Sequence, residues 1–244
     1  MFRRLLAPAL FLVSLAACAQ PATPAASAKP TARPAAAAPA PAPRMGVDYE
    51  VLPVPQPTWG AGKIELAEVF SYQCIHCAEF QPSVNAWKKT MPADVRWEYV
   101  PAVFGGTWDN FARAYFAAQI LGVQPRTHDM VFHAVFIDKS IKGGTPENIA
   151  DMYAKFGVDR AKFLATMSSF GVTAKLNRAK QFALRTGITG TPTLIINGKY
   201  RINVTADRGF PGMLSTATYL IAQERAAAPK AAAPAAVPAP AKKS

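Results

Sequence analysis

The chain has 244 residues, half of them apolar, with 22 prolines, three cysteines and a formal net charge of +12. That charge invites a nucleic-acid partner, but eight of the 27 basic residues lie outside positions 45–225. The remaining 19 face all 15 acidic residues, so the part able to fold carries only about +4, which is no nucleic-acid footprint.

Residues 1–17 begin with Arg3 and Arg4 and continue as an apolar run, the pattern of a secretory signal and too short for a membrane-spanning helix with ordinary flanks. The run ends in Leu15-Ala16-Ala17-Cys18, which resembles a bacterial lipobox and would make Cys18 a lipidated first residue and a membrane tether. Ordinary cleavage at a small-x-small site fits the same residues. Because Ala19 rather than Asp follows the cysteine, the lipobox resemblance implies the outer membrane. Residues 18–44 are rich in Ala and Pro and poor in large apolar side chains, as is 226–244. Neither can bury a core, so both are expected to be disordered tethers or tails.

Tyr49 to Leu52 reads as a short edge strand ahead of Pro53 and Pro55, and Ile64 to Ser71 as a central strand. That strand carries an unexpected acid, Glu68, six residues before Cys74. If buried beneath a dithiol, its pKa would rise by desolvation and it could relay a proton to Cys77; if the position is a strand edge, it faces water.

The strand runs into Cys74-Ile75-His76-Cys77, which opens a helix expected over 78–89 with a bend at Pro82. Cysteines at this spacing can close a disulfide or open to a dithiol with little backbone movement. At a helix start, free N–H groups and the macrodipole favour an anion, so Cys74 should ionise readily while Cys77 lies deeper. His76 adds an imidazole able to donate to, or pair with, the Cys74 thiolate. A zinc site would need further ligands, and only Cys18, His128 and His133 remain, so no metal is expected.

Val95 to Val100 is a strand ending at Pro101. Helical spacing then covers 108–121, 126–138, 146–156, 159–168 and 172–186, with breaks at Gly122, Pro125, Gly143-Gly144, Gly157 and Gly171. Phe111, Tyr115, Phe116 and Ile120 form a core stripe, His128 and His133 cap or pack, and Lys175, Arg178, Lys180 and Arg185 form a solvated face. After Gly190-Thr191-Pro192-Thr193, the strand Leu194 to Ile196 and the turn Asn197-Gly198 make a hairpin. Pro192 is a candidate cis proline, which would aim the Thr191 backbone at the disulfide; a trans proline merely starting the strand fits the pattern as well. A helix over 210–225 closes the fold.

Glu68-Val69-Phe70-Ser71-Tyr72-Gln73-Cys74-Ile75-His76-Cys77, Tyr99-Val100-Pro101, Gly190-Thr191-Pro192-Thr193 and Asn197-Gly198-Lys199-Tyr200 together resemble the DsbA family of bacterial periplasmic thiol:disulfide oxidoreductases. The resemblance spans about residues 48–225. It implies an α/β protein with a thioredoxin-like fold, formed by 45–104 and 187–225, and an all-helical insertion at 105–186. It implies further that Cys74 is the attacked sulfur and Cys77 the buried resolving one, with His76, Glu68, Thr191 and Pro192 completing the site and no cofactor. The expected activity is donation of the Cys74-Cys77 disulfide to reduced exported proteins in the periplasm, with reoxidation by a quinone-coupled membrane protein. Two features depart from the family's commonest pattern: Ile75 stands where Pro is usual, and Thr191 where Val is common before the proline. Both positions tune redox poise, so a reductase or isomerase remains an alternative, as does a lipid-tethered chaperone whose cysteines only brace the helix.

Overall fold

A computed structural model of the protein describes residues 41–228. The signal sequence, Cys18, most of the first tether and all but the start of the second tail lie outside the described residues.

Five strands form one sheet in the order β1-β5-β4-β2-β3. β2 (Ile64–Phe70) and β3 (Val95–Pro101) run parallel and in register, with Glu68 opposite Tyr99 and Phe70 opposite Pro101. β4 (Thr193–Ile196) is antiparallel to β2, and β5 (Tyr200–Asn203) pairs with β4 on one side and with β1 (Tyr49–Val51) on the other. From Glu65 to Phe70 every residue of β2 is buried, as expected of a strand paired on both sides and covered on both faces. β1 and β5 alternate and lie toward the sheet edge, where β1 tolerates the prolines that follow it.

α1 (Ile75–Lys88) starts three residues earlier than its apolar spacing predicts and continues through Pro82. The reason lies in its N-cap, which is Cys74: the sulfur accepts the Cys77 N–H at 3.2 Å and does the work of a capping oxygen. α7 (Gly209–Ala227) packs on α1 and on β2, β4 and β5. It runs two residues past the expected 225 because Ala226 and Ala227 are good helix formers.

Between β3 and β4 every regular element is a helix: α2 (Thr107–Ile120), α3 (Gln124–Phe132), α4 (Pro146–Lys155), α5 (Arg160–Met167) and α6 (Phe170–Arg185). The expected helix at 126–138 is instead α3 followed by a π-helical turn at His133–Ile137. Gly171 does not break the chain; Ser169 caps α6 through Val172 N–H at 3.3 Å, placing the glycine in the first turn. The α2 stripe is core at Phe111, Tyr115 and Phe116, but Ile120 at the helix end is 48% exposed. Arg178 is not simply solvated either: its guanidinium lies 4.2 Å over the Trp59 ring and donates to the Trp59 carbonyl.

One aromatic cluster joins the sheet to these helices. Phe70 makes edge contacts with Tyr72, Tyr99, Tyr115, His128 and Phe132 at centroid separations of 5.1–6.2 Å. Burying each such ring contributes about 1.5–3 kcal/mol. Glu65, wholly buried, fixes the 53–63 loop by accepting from the N–H groups of Trp59 (2.7 Å) and Gly60 (2.6 Å) and from Arg96 (2.6 Å). The β4-β5 turn uses Asn197 and Gly198 at φ of 48° and 64°. A Cβ on Gly198 would sit 1.9 Å from the Gln56 carbonyl oxygen, so sterics as well as φ demand glycine.

Candidate active site

The end of β2, the N-terminus of α1 and the start of β4 meet at the two cysteines, which are unbonded thiols in this structure. Cys77 has no exposed surface; Cys74 keeps 8%. What surface the pair retains therefore belongs to Cys74, and Cys77 lies beneath it.

Cys74 is pulled down to a pKa of about 6. The leading cause is the hydrogen bond from the Cys77 thiol; against it works burial, and with it work Thr191 and the backbone N–H groups of Cys77 and His76. Thr191 meets the sulfur in two ways. Its carbonyl accepts from the thiol at 3.3 Å, which favours the protonated form, whereas hydrogen bonding from its side chain favours the thiolate. The Thr191-Pro192 peptide bond is cis, so the alternative of a trans proline merely opening β4 is set aside. Cys77 is driven strongly upward by burial first, then by its bond to Cys74 and the negative field of Glu68. The two sulfurs thus differ sharply in how readily they hold charge.

Glu68 is 1% exposed, which removes the reading of a strand edge in water. Desolvation lifts its pKa to about 8, opposed by Lys88 and reinforced by Cys74, and its Oε2 has no hydrogen-bond partner among the described residues. Lys88 escaped the sequence reading. It sits 4.8 Å over the Tyr99 ring, its own pKa lowered by burial, and it reaches Glu68 electrostatically because Tyr99 is the residue opposite Glu68 in the β2-β3 register. A lysine near the end of a helix carries no sequence signal for that role.

His76 takes a hydrogen-bond partner on its own helix. Its side chain is 67% exposed and Nδ1 lies 2.9 Å from Glu79 Oε2, an i,i+3 pair along the helix. Its first partner is therefore Glu79, which raises its pKa; the negative charge of Cys74 raises it further, and the His76 backbone N–H favours the Cys74 thiolate. His133 is exposed, whereas His128 is buried against Tyr72 with its pKa pushed down to about 3 by desolvation, so it is neutral across physiological pH. No group of three metal-capable side chains gathers among the described residues.

Comparison with known proteins places this geometry. The family model "DSBA-like thioredoxin domain" matches residues 65–212. The thiol:disulfide interchange protein DsbA of Azotobacter vinelandii is 39% identical over 184 residues, covering 75% of this chain and 86% of that protein. Its counterpart from Pseudomonas aeruginosa is 40% identical over 185 residues, covering 76% and 87%. Among solved structures, the oxidoreductase DsbA of Xylella fastidiosa superposes with a TM-score of 0.71 at 40% identity, over 75% of this chain and 98% of that one. A thioredoxin-like sheet with a helical insertion, a dithiol at a helix N-terminus and relatives at this level of identity lead to one conclusion: the chain belongs to the DsbA-like family and is a protein thiol:disulfide oxidoreductase.

Proposed function

We propose that the protein oxidises dithiols of exported proteins in the periplasm, with Cys74 as the sulfur that substrate attacks and Cys77 as the resolving sulfur. The observation that carries this reading is the asymmetry of the pair: Cys74 is stabilised as a thiolate near pH 6 and Cys77 is held strongly as a thiol. A substrate thiolate attacks Cys74 of the disulfide, and the bonding electrons leave on the Cys77 sulfur, which is protonated. Glu68 is the proton source, since a carboxyl with a pKa of about 8 still holds its proton at pH 7. A second substrate thiolate then attacks the substrate sulfur of the mixed disulfide, and Cys74 departs as thiolate. The substrate loses two electrons and the protein gains them as its dithiol. The carbonyl of Thr191, beside cis Pro192, borders the same sulfur and offers a backbone acceptor to an extended substrate segment. Reoxidation falls to a quinone-coupled membrane protein, and Cys18, if lipidated, would keep the enzyme at the outer membrane.

The test is trapping. Cys77→Ser should accumulate a mixed disulfide between Cys74 and a cysteine-containing peptide, while Cys74→Ser should form none. Equal trapping by both variants would reverse the assignment. Equilibration with glutathione decides direction: a reduction potential near that of thioredoxin, about −270 mV, would make the protein a reductase.

A further inference from the structure

The turn Ser71-Tyr72-Gln73-Cys74 delivers the reactive sulfur to the start of α1, closed by the Cys74 N–H donating to the Ser71 carbonyl at 3.1 Å. Both central residues of that turn are held from outside the thioredoxin-like part. Tyr72, 1% exposed, places its hydroxyl 2.8 Å from Nδ1 of His128 on α3. Gln73 accepts a hydrogen bond from the Thr107 hydroxyl, the first residue of α2, at 2.6 Å.

Neither contact is incidental to packing. His128 is 4% exposed and lies against Tyr99, Phe70 and Tyr72 at centroid distances of 4.3, 5.1 and 5.3 Å, a setting that any apolar ring could fill. Yet a histidine stands there, its Nε2 without a partner among the described residues, so the bond to Tyr72 is its one polar engagement there. Thr107 in turn is seated against Gly144, where a Cβ would come 2.7 Å from the Thr107 Cβ and 3.5 Å from the Gln73 amide nitrogen. That loop position leaves room for the Thr107-Gln73 pair only as glycine.

We propose that His128 and Thr107 are positioning residues: the helical insertion clamps the Tyr72-Gln73 turn and thereby holds the Cys74 sulfur in line with the backbone N–H groups that stabilise its thiolate. The sulfur caps α1 through a 3.2 Å bond from the Cys77 N–H. A turn free to rock would lengthen that bond part of the time, and the thiolate would lose a share of its stabilisation without any group near the sulfur being altered. The insertion therefore contributes to redox poise.

The experiment uses the full chain with Tyr72→Phe, Thr107→Val and both together, each removing one or both clamps while leaving the cysteines and His76 untouched. Thr218→Val is the control; it removes the bond that Trp87 of α1 makes at 3.2 Å, on a different part of the same helix. Cys74 ionisation is read by ultraviolet thiolate absorbance, the Cys74-Cys77 pair by equilibration with glutathione, and stability by Tm. Each single clamp variant is expected to raise the thiolate midpoint by about half a pH unit and the double by about one, a tenfold loss of thiolate preference. The glutathione equilibrium should move by the same factor toward a more reducing pair. His128→Gln, which keeps an acceptor for the Tyr72 hydroxyl, should hold the midpoint, and His128→Leu should not. The proposal is overturned if the clamp variants lose Tm as Thr218→Val does while their midpoints and glutathione equilibria stay at the wild-type values. Thr107 is exposed, so Thr107→Val folds and settles the matter even if the buried variants do not.

Discussion

Replacing Glu68 by Gln should make the protein more stable at neutral and alkaline pH and slower in exchange. The side chain is buried with one oxygen unpartnered, and its carboxyl titrates near pH 8 in the folded protein against about 4.3 in the unfolded chain. A carboxyl whose folded pKa is raised supports the fold fully only below the unfolded value. As pH rises through the window from about 4.3 to 8, the unfolded chain gives up its proton while the folded protein keeps it, and stability is lost steadily. At pH 7 the difference is somewhat under three pH units, or about 3 to 4 kcal/mol, a large part of the 5–15 kcal/mol typical of a domain. Gln has nearly the same shape and no ionisation, so that loss disappears. Guanidinium unfolding of the wild type and Glu68→Gln, both reduced, between pH 4 and 9 measures it: the curves should be close at the acid end and separate progressively toward pH 8. Parallel curves across the range would falsify the claim that Glu68 is held neutral by burial. In the same variant, Cys77 loses its proton partner, so the rate of mixed-disulfide formation should fall by about 10²-fold, the lower end of general acid catalysis.

Three other outcomes follow from the geometry. Thiolate absorbance of the reduced protein should titrate near pH 6; because this pKa is depressed, the stabilisation it gives the reduced form is complete above about 8.5 and lost as pH falls through 6, so reduced protein should weaken relative to oxidised over that window. A midpoint near the free-cysteine value would remove the driving force proposed above. Glu79→Gln should lower the His76 pKa, read from its imidazole proton shifts, since Glu79 is the first cause of its elevation; an unmoved titration would contradict the His76-Glu79 pair. Gly198→Ala meets both a positive φ and the Gln56 carbonyl, and should cost about 3 kcal/mol or more in equilibrium unfolding; a loss below about 1 kcal/mol would mean that the β4-β5 turn readily rearranges.

The order of elements was legible because it rests on local chemistry. Alternating and continuous apolar runs marked β2 and β3, the Asn197-Gly198 pair marked the hairpin, and helical spacing filled the interval between β3 and β4. Boundaries drifted where capping overrode periodicity, as at Ser169 for α6 and at Cys74, whose sulfur starts α1 before the apolar pattern does. The dithiol itself was equally plain, since two cysteines three residues apart after a strand need no distant partner to be noticed.

What the sequence by itself determined was therefore the thioredoxin-like frame, the inserted helices and the pair of sulfurs, all fixed by neighbours along the chain. Only the tertiary structure decided the surroundings of those sulfurs. Whether Glu68 faced water or protein depended on how strands from both ends of the chain assemble around β2. His76 found its hydrogen-bond partner in Glu79, Lys88 came within electrostatic reach of Glu68, and His128, 54 residues after Cys74, reached the turn that carries it. Protonation states are set by desolvation and by charges a few ångströms away, and both arise when distant segments pack, which no one-dimensional pattern records.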